Sequence, residues 1–541
     1  MILKIPIVVV LGDCEGADVL CGRYKSHLLN VKSLCRDCDC PTLQADNPNY
    51  ACIPRKRIDL FGATDTELQQ MSHYRLENAF DEIQMADSIE GISGATPPEL
   101  LHWLDAGLKK TKCNFFYSNV LGSGPVMNRF DSTLGIVFIQ SKHQSDRNMP
   151  LITFDKGYAH LTSSTIKSGQ YTGLMLGIVI TWHTHAGRNA YAGNRYKDKR
   201  DLITDFTNLM EMTLCLEQWM KTAPKHIATI DQYQNSFHRY MVQYSRVVDK
   251  TDGNGLKTTK FHQIAHIVRY IKKFGNPQNV NTARPENGHI ENVKKPARRT
   301  QKRPDVLATQ TACQYHEHYS IDLAKMYIND DEWITKPKAQ PNNNCLQGTT
   351  CFIEVKRNDN DQLYYDIDFN KDKTHVIDSD LLQYVGEYIL KWETGKSITI
   401  GSEVCINDIL YRAHPFYRSK SPWFDYCYYQ SNRMQYKRIA KILTFVQINN
   451  EVSDALNIAS GVYAICICAT DYPMELSVLV KSSFLSFDED GKSQYTMLSL
   501  HDIKGPAYCI ENVVDKSVDY NYKDCSQVFV VDSLDTWKTK F

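Results

Sequence analysis

The sequence lacks both a long apolar stretch and an excess of charge of either sign. The apolar run at residues 172–182 is shorter than the ~18 residues that a membrane-spanning helix needs, so it predicts a buried helix or strand. The 62 basic and 62 acidic residues cancel. No overall field therefore draws the chain to a membrane or to nucleic acid, and any such attraction must come from a local patch.

The motifs of several common enzyme classes are also missing. The sequence contains no GxxxxGK[ST] phosphate loop, no GxSxG nucleophile elbow and no set of protein-kinase signatures. The N-terminal apolar run does not fit a secretory signal, because Lys4 and Pro6 interrupt it and Asp13 follows where cleavage needs small residues. We therefore interpret it as a buried strand. The 17 cysteines are expected to be reduced or bound to metal in an intracellular compartment.

The chain of 541 residues is too long for one core and predicts two to four domains. Residues 1–130 alternate strand, cysteine-rich loop and helix, and residues 131–260 are mainly helical. Residues 261–330 begin with a helix and a turn and continue into a basic stretch. From 345 to 541, short β-prone runs bounded by Asn, Asp and Gly predict a β-rich barrel or sandwich. The predicted fold class is thus α/β plus all-β.

Three separated acids suit metal-dependent chemistry on nucleic acid. Asp13 follows the apolar run, Glu99 stands three residues before His102, and Glu286 precedes the basic stretch. Phosphoryl transfer with two divalent ions uses carboxylates that converge from distant parts of a chain. Two of the acids also have ordinary explanations: Asp13 can begin a turn, and Glu99 can stabilise a helix N-terminus.

A cysteine cluster predicts a zinc site. Its members have the Cys-x-x-Cys spacing of tetrahedral zinc ligands or lie just beyond it, and they are Cys35, Cys38, Cys40 and Cys52. His27 and His73 could complete the site, or the thiols could be structural and reduced. A separate pair, His262 and His266, is spaced to share a metal on one helix face, although packing of that face is the alternative.

A local basic patch stands out from the neutral chain. It predicts a phosphate-binding or nuclear-import segment, with a solvated loop as the alternative. Its six cations are Lys294, Lys295, Arg298, Arg299, Lys302 and Arg303.

The order of these segments resembles the catalytic region of CACTA/EnSpm-type DNA transposases and their Plavaka-like relatives. The resemblance is carried by IVVVLGDCEGADVLCGRY with SLCRDCDCP, by GATPPELLHWLDAGLKK, and by the segment from KFHQIAHIVRY to NTARPENG. It implies a partial RNase H-like core with a helical insertion. Asp13 would be the second catalytic aspartate, Glu286 the final glutamate, and Glu99 with His102 the accessory acid-x-x-His motif. Glu99 stands where that family usually has aspartate.

The resemblance also implies cofactors and partners. Two Mg²⁺ or Mn²⁺ ions would serve strand cleavage and transfer at transposon DNA ends in the nucleus, and Cys35 with Cys38 would bind zinc. Self-association into a homo-oligomer is compatible with this activity, and no membrane partner is expected. The family's first catalytic aspartate lies on a strand upstream of Asp13, so this chain is expected to be incomplete as an enzyme.

The alternative is a non-catalytic protein derived from such an element. It would bind nucleic acid through the basic patch, or a protein partner through an aromatic stretch in the β-rich region, unless those aromatics pack in the core. The aromatic residues are Tyr411, Phe416, Tyr417, Trp423, Phe424, Tyr426, Tyr428 and Tyr429.

Overall fold

The protein is described from a computed structural model. It covers residues 9–25, 31–56, 58–75, 90–142, 144, 149–150, 152–161, 166–222, 227–249, 254–283, 288, 290–328, 342–369, 377–417, 421–431, 434–471, 473–487, 492–517 and 525–541.

The N-terminal part consists of short helices and loops. Its helices are α1 (Cys14–Leu20), α2 (Ile58–Phe61), α3 (Asp65–Gln70) and α4 (Lys110–Phe115), the last lying between π-helical turns Leu101–Lys109 and Phe116–Leu121. The described residues before 342 form β-bridges only in isolation, as between Cys38 and Pro54. Within the predicted N-terminal strand, residues 9–11 are not part of a sheet, and residues 1–8 lie outside the described chain.

A helical region follows. Its helices are α5 (Pro125–Lys142), α6 (Gln170–His183), α7 (His185–Asn189), α8 (Lys197–Lys221), α9 (Gln234–Val247), α10 (Thr259–His262) and α11 (Ile267–Phe274). The apolar run at 172–182 lies in α6, where it is almost wholly buried against α5 and α8. None of the helices in the described part of the chain has both the length and the apolar character needed to cross a bilayer.

The basic patch spans a short helix and the loop that joins it to a long helix. A π-helical turn, Ile290–Lys294, leads into the short α12 (Lys295–Arg298), and the long α13 (Leu307–Ile328) packs against both.

The C-terminal part is a branched antiparallel sheet of 13 strands, so the β-rich expectation for this region is confirmed. The strands are β1 (Leu346–Arg357), β2 (Leu363–Phe369), β3 (Ser397–Ile406), β4 (Ile409–Tyr417), β5 (Ser421–Phe424), β6 (Tyr426–Tyr429), β7 (Arg438–Ile448), β8 (Gly461–Cys468), β9 (Met474–Glu475), β10 (Val480–Phe484), β11 (Tyr495–Ser499), β12 (Ile503–Glu511) and β13 (Gln527–Val531). The main path runs β2-β1-β3-β7-β6-β12-β13-β10-β9. Helices α14 (Ser379–Tyr384), α15 (Asn450–Leu456) and α16 (Leu534–Trp537) accompany it.

The helical region and the sheet share one hydrophobic core. Apolar residues of β10, β12 and β13 pack in the same cluster as those of α5, α6 and α8. Just beyond the end of α5, the Gln144 side-chain amide donates to the Cys509 carbonyl (2.6 Å) and accepts from the Cys509 amide (2.9 Å), so a side chain continues the ladder of β12. These contacts tie the β-rich region to the helices instead of leaving it as a separate unit.

Candidate metal centre

Four buried side chains from two distant segments meet in one group. Cys35 and Cys38 come from the N-terminal loop, and His262 and His266 come from the helical segment; their ligand atoms all lie within 4.8 Å of one another. Cys35 Sγ is 3.4 Å from His266 Nε2, and Cys38 Sγ is 3.2 Å from His262 Nε2. Tetrahedral zinc, with bonds of ~2.3 Å to sulfur and ~2.0–2.1 Å to nitrogen, would place such pairs ~3.6 Å apart. The group could therefore hold a metal such as zinc.

Two buried arginines hold the loop that presents the thiols. The Arg23 guanidinium donates to the carbonyls of Ser33 and Cys35. Arg55 Nη2 donates to the Cys35 carbonyl (3.3 Å), the Cys38 carbonyl (3.0 Å) and Ser33 Oγ (2.7 Å). Because the loop has little regular structure, these side chains satisfy carbonyls that a helix or strand would otherwise satisfy. These hydrogen bonds help to hold the Cys-x-x-Cys turn in place.

Helix periodicity presents the two histidines. His262 ends α10 and His266 ends the 3₁₀ turn Gln263–His266 that leads into α11, so the four-residue spacing puts both rings on one face. His262 Nδ1–H donates to the Ala45 carbonyl (3.2 Å). This bond fixes the tautomer that leaves the Nε2 lone pair directed at the thiols, as in most protein metal sites.

The charges in this group are coupled. Burial alone would lower the pKa of His262 and of His266, but the nearby Cys35 and Cys38 sulfurs outweigh it and raise both to about 10. Cys35 lowers the pKa of the Cys38 thiol, while two further neighbouring thiols and burial raise it to about 11. The protons held by these groups would be displaced by a bound cation, so metal binding is expected to release protons.

The other predicted zinc ligands lie outside this group. The Cys40 thiol donates to the Pro41 carbonyl (3.4 Å), and Cys52 Sγ is 3.7 Å from His262 Nε2. His73 Nδ1 bonds the Tyr74 carbonyl (2.8 Å), and His27 falls outside the described residues. The His262–His266 pair thus takes the place that sequence reasoning offered to His27 and His73.

Asp13 acts as a helix cap in the structure. Its carboxylate accepts a hydrogen bond from Gly16 N (2.6 Å) at the start of α1, which is the turn-forming alternative raised from the sequence. The following Cys14 lies 4.0 Å from the Gln263 side chain. Burial raises the pKa of the Cys14 thiol, and the charge of Glu99 contributes to the same shift. Cys14, the residue after Asp13, is therefore near both Gln263 and Glu99, whereas Asp13 itself is exposed.

Glu99 is buried and fully engaged. It accepts hydrogen bonds from the amides of Leu101 (2.8 Å) and His102, from His102 Nδ1, and from Thr282 Oγ1 (2.5 Å). Burial would raise the pKa of Glu99, but the bonds from His102 and Thr282 outweigh it and lower the pKa. Glu286 lies outside the described residues, yet Thr282, four positions before it, is attached to Glu99. The acid-x-x-His motif therefore contacts the segment that leads to Glu286.

The six cations of the basic patch are all exposed. Arg303 pairs with Asp305 (2.7 Å), and Lys302 adopts a left-handed conformation (φ 58°) as the chain turns into α13.

In the aromatic stretch of the β-rich region, Tyr411, Tyr426 and Tyr429 are buried in the sheet.

No protein-family model matches the chain, and no curated protein matches it in sequence. Its function must therefore be inferred from its residues and their geometry.

Proposed function

We propose that this chain derives from the catalytic region of a CACTA/EnSpm-type, Plavaka-like DNA transposase and acts on DNA in the nucleus. One observation carries the proposal: the Cys-x-x-Cys that follows Asp13 meets the His-x-x-x-His that precedes Glu286, 224 residues away along the chain. Glu99 is attached to the same C-terminal segment through Thr282. The motifs whose order suggested the family are thus held as spatial neighbours, which a chance resemblance in sequence order would not require.

In this proposal, the Cys₂His₂ group binds one structural zinc ion. All four ligands come from the protein and all four are buried, and such closed sites stabilise folds and leave no position for substrate. Zinc would fix the loop after Asp13 against the helix before Glu286. Its role is therefore to position the acidic residues and not to perform chemistry itself.

The proposed activity is DNA strand cleavage and transfer by an RNase H-like core with two Mg²⁺ or Mn²⁺ ions. Asp13 and Glu286 would be metal ligands, and His102 with Glu99 would lie close to the scissile phosphate. In the part of the chain that the structure describes, however, no carboxylates form a group close enough to hold a metal. The described residues therefore do not fit a divalent-ion site, and we derive no catalytic step from one.

Nicking of supercoiled plasmid in Mn²⁺ tests the proposal. Asp13→Asn removes the charge of the proposed ligand but keeps the helix cap, because asparagine caps as well as aspartate. If the chain holds a complete site, nicking occurs with the unaltered chain and with Asp39→Asn, an exposed acid in the same region, and does not occur with Asp13→Asn. Nicking that survives Asp13→Asn would contradict the assignment of Asp13.

A second candidate is a non-catalytic DNA-binding protein of the same descent. It is favoured by the carboxylates themselves, since Glu99 accepts four hydrogen bonds and Asp13 caps a helix. DNA binding without nicking in the same assay would favour this candidate over the first. If the chain binds no DNA even at low salt, both candidates fail.

A further inference from the structure

A polar cavity lies beside the exposed helix α13. The cavity has a volume of about 340 Å³ and is formed where α13 packs on α12 and the turn before it. Over residues 307–324, Thr311 is buried and most other residues of α13 are exposed. Helices that bury so little of their surface commonly join other elements or bind a partner. The cavity is lined by Asn292, Lys295, Pro296, Arg299, Tyr315, His318, Tyr319 and Asp322.

The two walls of the cavity differ in chemistry. The α12 wall carries Lys295 and Arg299, and the Arg299 guanidinium contacts His318 across the cavity. The α13 wall carries Tyr315 and Tyr319, which are four residues apart and so share one helix face. Their rings are near-parallel, with centroids 6.3 Å apart and planes 21° apart, and the residues remain 40% and 52% exposed. Cations thus stand opposite an accessible aromatic surface, and Asp322 adds one acid to the α13 wall.

We propose that this cavity binds single-stranded DNA, with a backbone phosphate against Lys295 and Arg299 and an unpaired base stacked on Tyr315 and Tyr319. Basic grooves with aromatic side chains bind single strands in this way, because every base has a face that can stack. The base must be unpaired, since a duplex hides base faces within its own stack. The inference rests on the proposed DNA function and adds to it the form of DNA that is recognised.

The basic surface together with the tyrosine rings favours a nucleic acid over an acidic peptide. The remaining cations of the basic patch, Lys294, Arg298, Lys302 and Arg303, are exposed and adjoin the cavity residues in sequence, and Arg303 is paired with Asp305. A phosphate occurs at every nucleotide, so a single strand can follow this track while one base enters the cavity. A peptide would match the charge but would not need the paired tyrosine rings.

Binding of fluorescent oligonucleotides to the full chain tests the inference. One probe is a 15-nucleotide single strand and the other is a duplex of the same sequence. Tyr315→Ala with Tyr319→Ala is expected to weaken single-strand binding roughly ten- to a hundredfold, which is the loss expected for stacking on one base. Tyr315→Phe with Tyr319→Phe keeps the ring faces and should bind the single strand within about twofold of the unaltered chain. Because both tyrosines are exposed, helix content measured by circular dichroism should be unchanged.

The outcomes separate this inference from the proposed function. If the alanine variant binds the single strand as tightly as the unaltered chain, the cavity is not the binding site, although DNA binding itself stands. If the alanine variant loses single-strand and duplex binding equally, the tyrosines do not read an unpaired base and the inference also fails. Arg299→Ala should reduce the salt dependence of binding, because it removes a phosphate contact. The alanine variant of the two tyrosines should keep the salt dependence of the unaltered chain, because it removes only stacking. If neither probe binds the unaltered chain, both proposals are overturned.

Discussion

Replacement of Glu217 by glutamine should destabilise the helical region strongly and in a pH-dependent way. Glu217 is buried in α8, where its carboxylate accepts from Lys109 Nζ (2.5 Å), Thr172 Oγ1 (2.9 Å) and Lys221 Nζ. Lys109 is itself fully buried and also pairs with Asp105 (2.5 Å). Glu217→Gln keeps the shape of the side chain but removes the negative charge of the carboxylate that contacts both Lys109 and Lys221.

The structure gives the magnitude and the pH range. Burial alone would raise the pKa of the Glu217 carboxyl, but Lys109 and Lys221 outweigh it and lower the pKa from 4.5 to about 2. That interval corresponds to about 3 kcal/mol, which agrees with the ~3–5 kcal/mol cost of removing one partner from a buried ion pair. Since the folded-state pKa is depressed, this stability is fully present above about pH 4.5 and is lost as the pH falls towards 2.

Urea unfolding followed by tryptophan fluorescence measures the effect. At pH 7, we expect Glu217→Gln to lower the free energy of unfolding by about 3 kcal/mol, and we expect the difference from the unaltered chain to shrink below about pH 4.5. Glu211→Gln, on the same helix, is the matched control. Burial raises the pKa of Glu211 in the folded protein despite its hydrogen bonds from Ser477 and Leu479. Ionised Glu211 therefore lowers the folding stability as the pH rises above the pKa that Glu211 has in the unfolded chain.

The control should therefore respond to pH in the opposite sense. The free energy of unfolding of Glu211→Gln, relative to that of the unaltered chain, should be highest at pH 7 and lower in acid. If Glu217→Gln and Glu211→Gln change the unfolding free energy by the same amount with the same pH dependence, the assignment of charge within α8 is refuted. A Glu217→Gln cost below about 1 kcal/mol, the range of exposed pairs, would also refute it.

Two further predictions concern the metal group and a buried lysine. Cys38→Ser removes a proposed ligand and should reduce bound zinc, measured by atomic absorption, from one ion per chain to near zero. Cys40 is buried outside the group, so Cys40→Ser should retain the zinc. Equal zinc contents in the two variants would contradict the assignment. Lys112 is fully buried, donates to the Tyr240 hydroxyl (2.7 Å) and lies over the Tyr244 ring, and burial holds its pKa well below the usual range. Stability should rise with pH up to the unfolded lysine pKa of ~10.4, by at most ~1.4 kcal/mol per pH unit, and Lys112→Met should remove this rise in urea titrations.

Local patterns predicted much of the β-rich region. The β-prone runs TCFIEVKR, QLYYDIDF, KSITIGSEVCI, RIAKILTFVQI, GVYAICICA, LSVLVKSSFLSF and QVFVVDSL fall on β1, β2, β3, β7, β8, β10 and β13, in that order. These strands combine β-branched residues with clear Asn, Asp or Gly boundaries. The aromatic stretch that forms β4, β5 and β6 was not predicted as strands, because it contains Pro415 and Pro422 and a dense mixture of basic and aromatic residues. Its position inside the sheet is set by pairing with β3, β7 and β12, which a local pattern cannot reveal.

The metal group shows the same division between local and distant information. Spacing identified Cys35 with Cys38 as one pair and His262 with His266 as another. Spacing could not join them, because 224 residues separate Cys38 from His262 and the nearer histidines offered simpler partners. The helical region between them determines that they meet. The buried Glu217 was missed for a related reason, since a charged residue on an amphipathic helix is expected to face solvent.

The long separation gives a metal at this position an effect beyond its own loop. A cross-link that closes a loop of about 220 residues removes on the order of 5 kcal/mol of conformational freedom from the unfolded chain in the entropic treatment used for disulfides. A zinc ion joining Cys38 to His262 would restrict the whole helical region between them in the same way. The metal would therefore stabilise the helical region as a unit, and it would hold the cysteine loop against the turn Gln263–His266, whose Gln263 contacts Cys14. In a protein whose proposed active residues are so far apart in sequence, that link accounts for a fully buried Cys₂His₂ group at the two ends of the helical region.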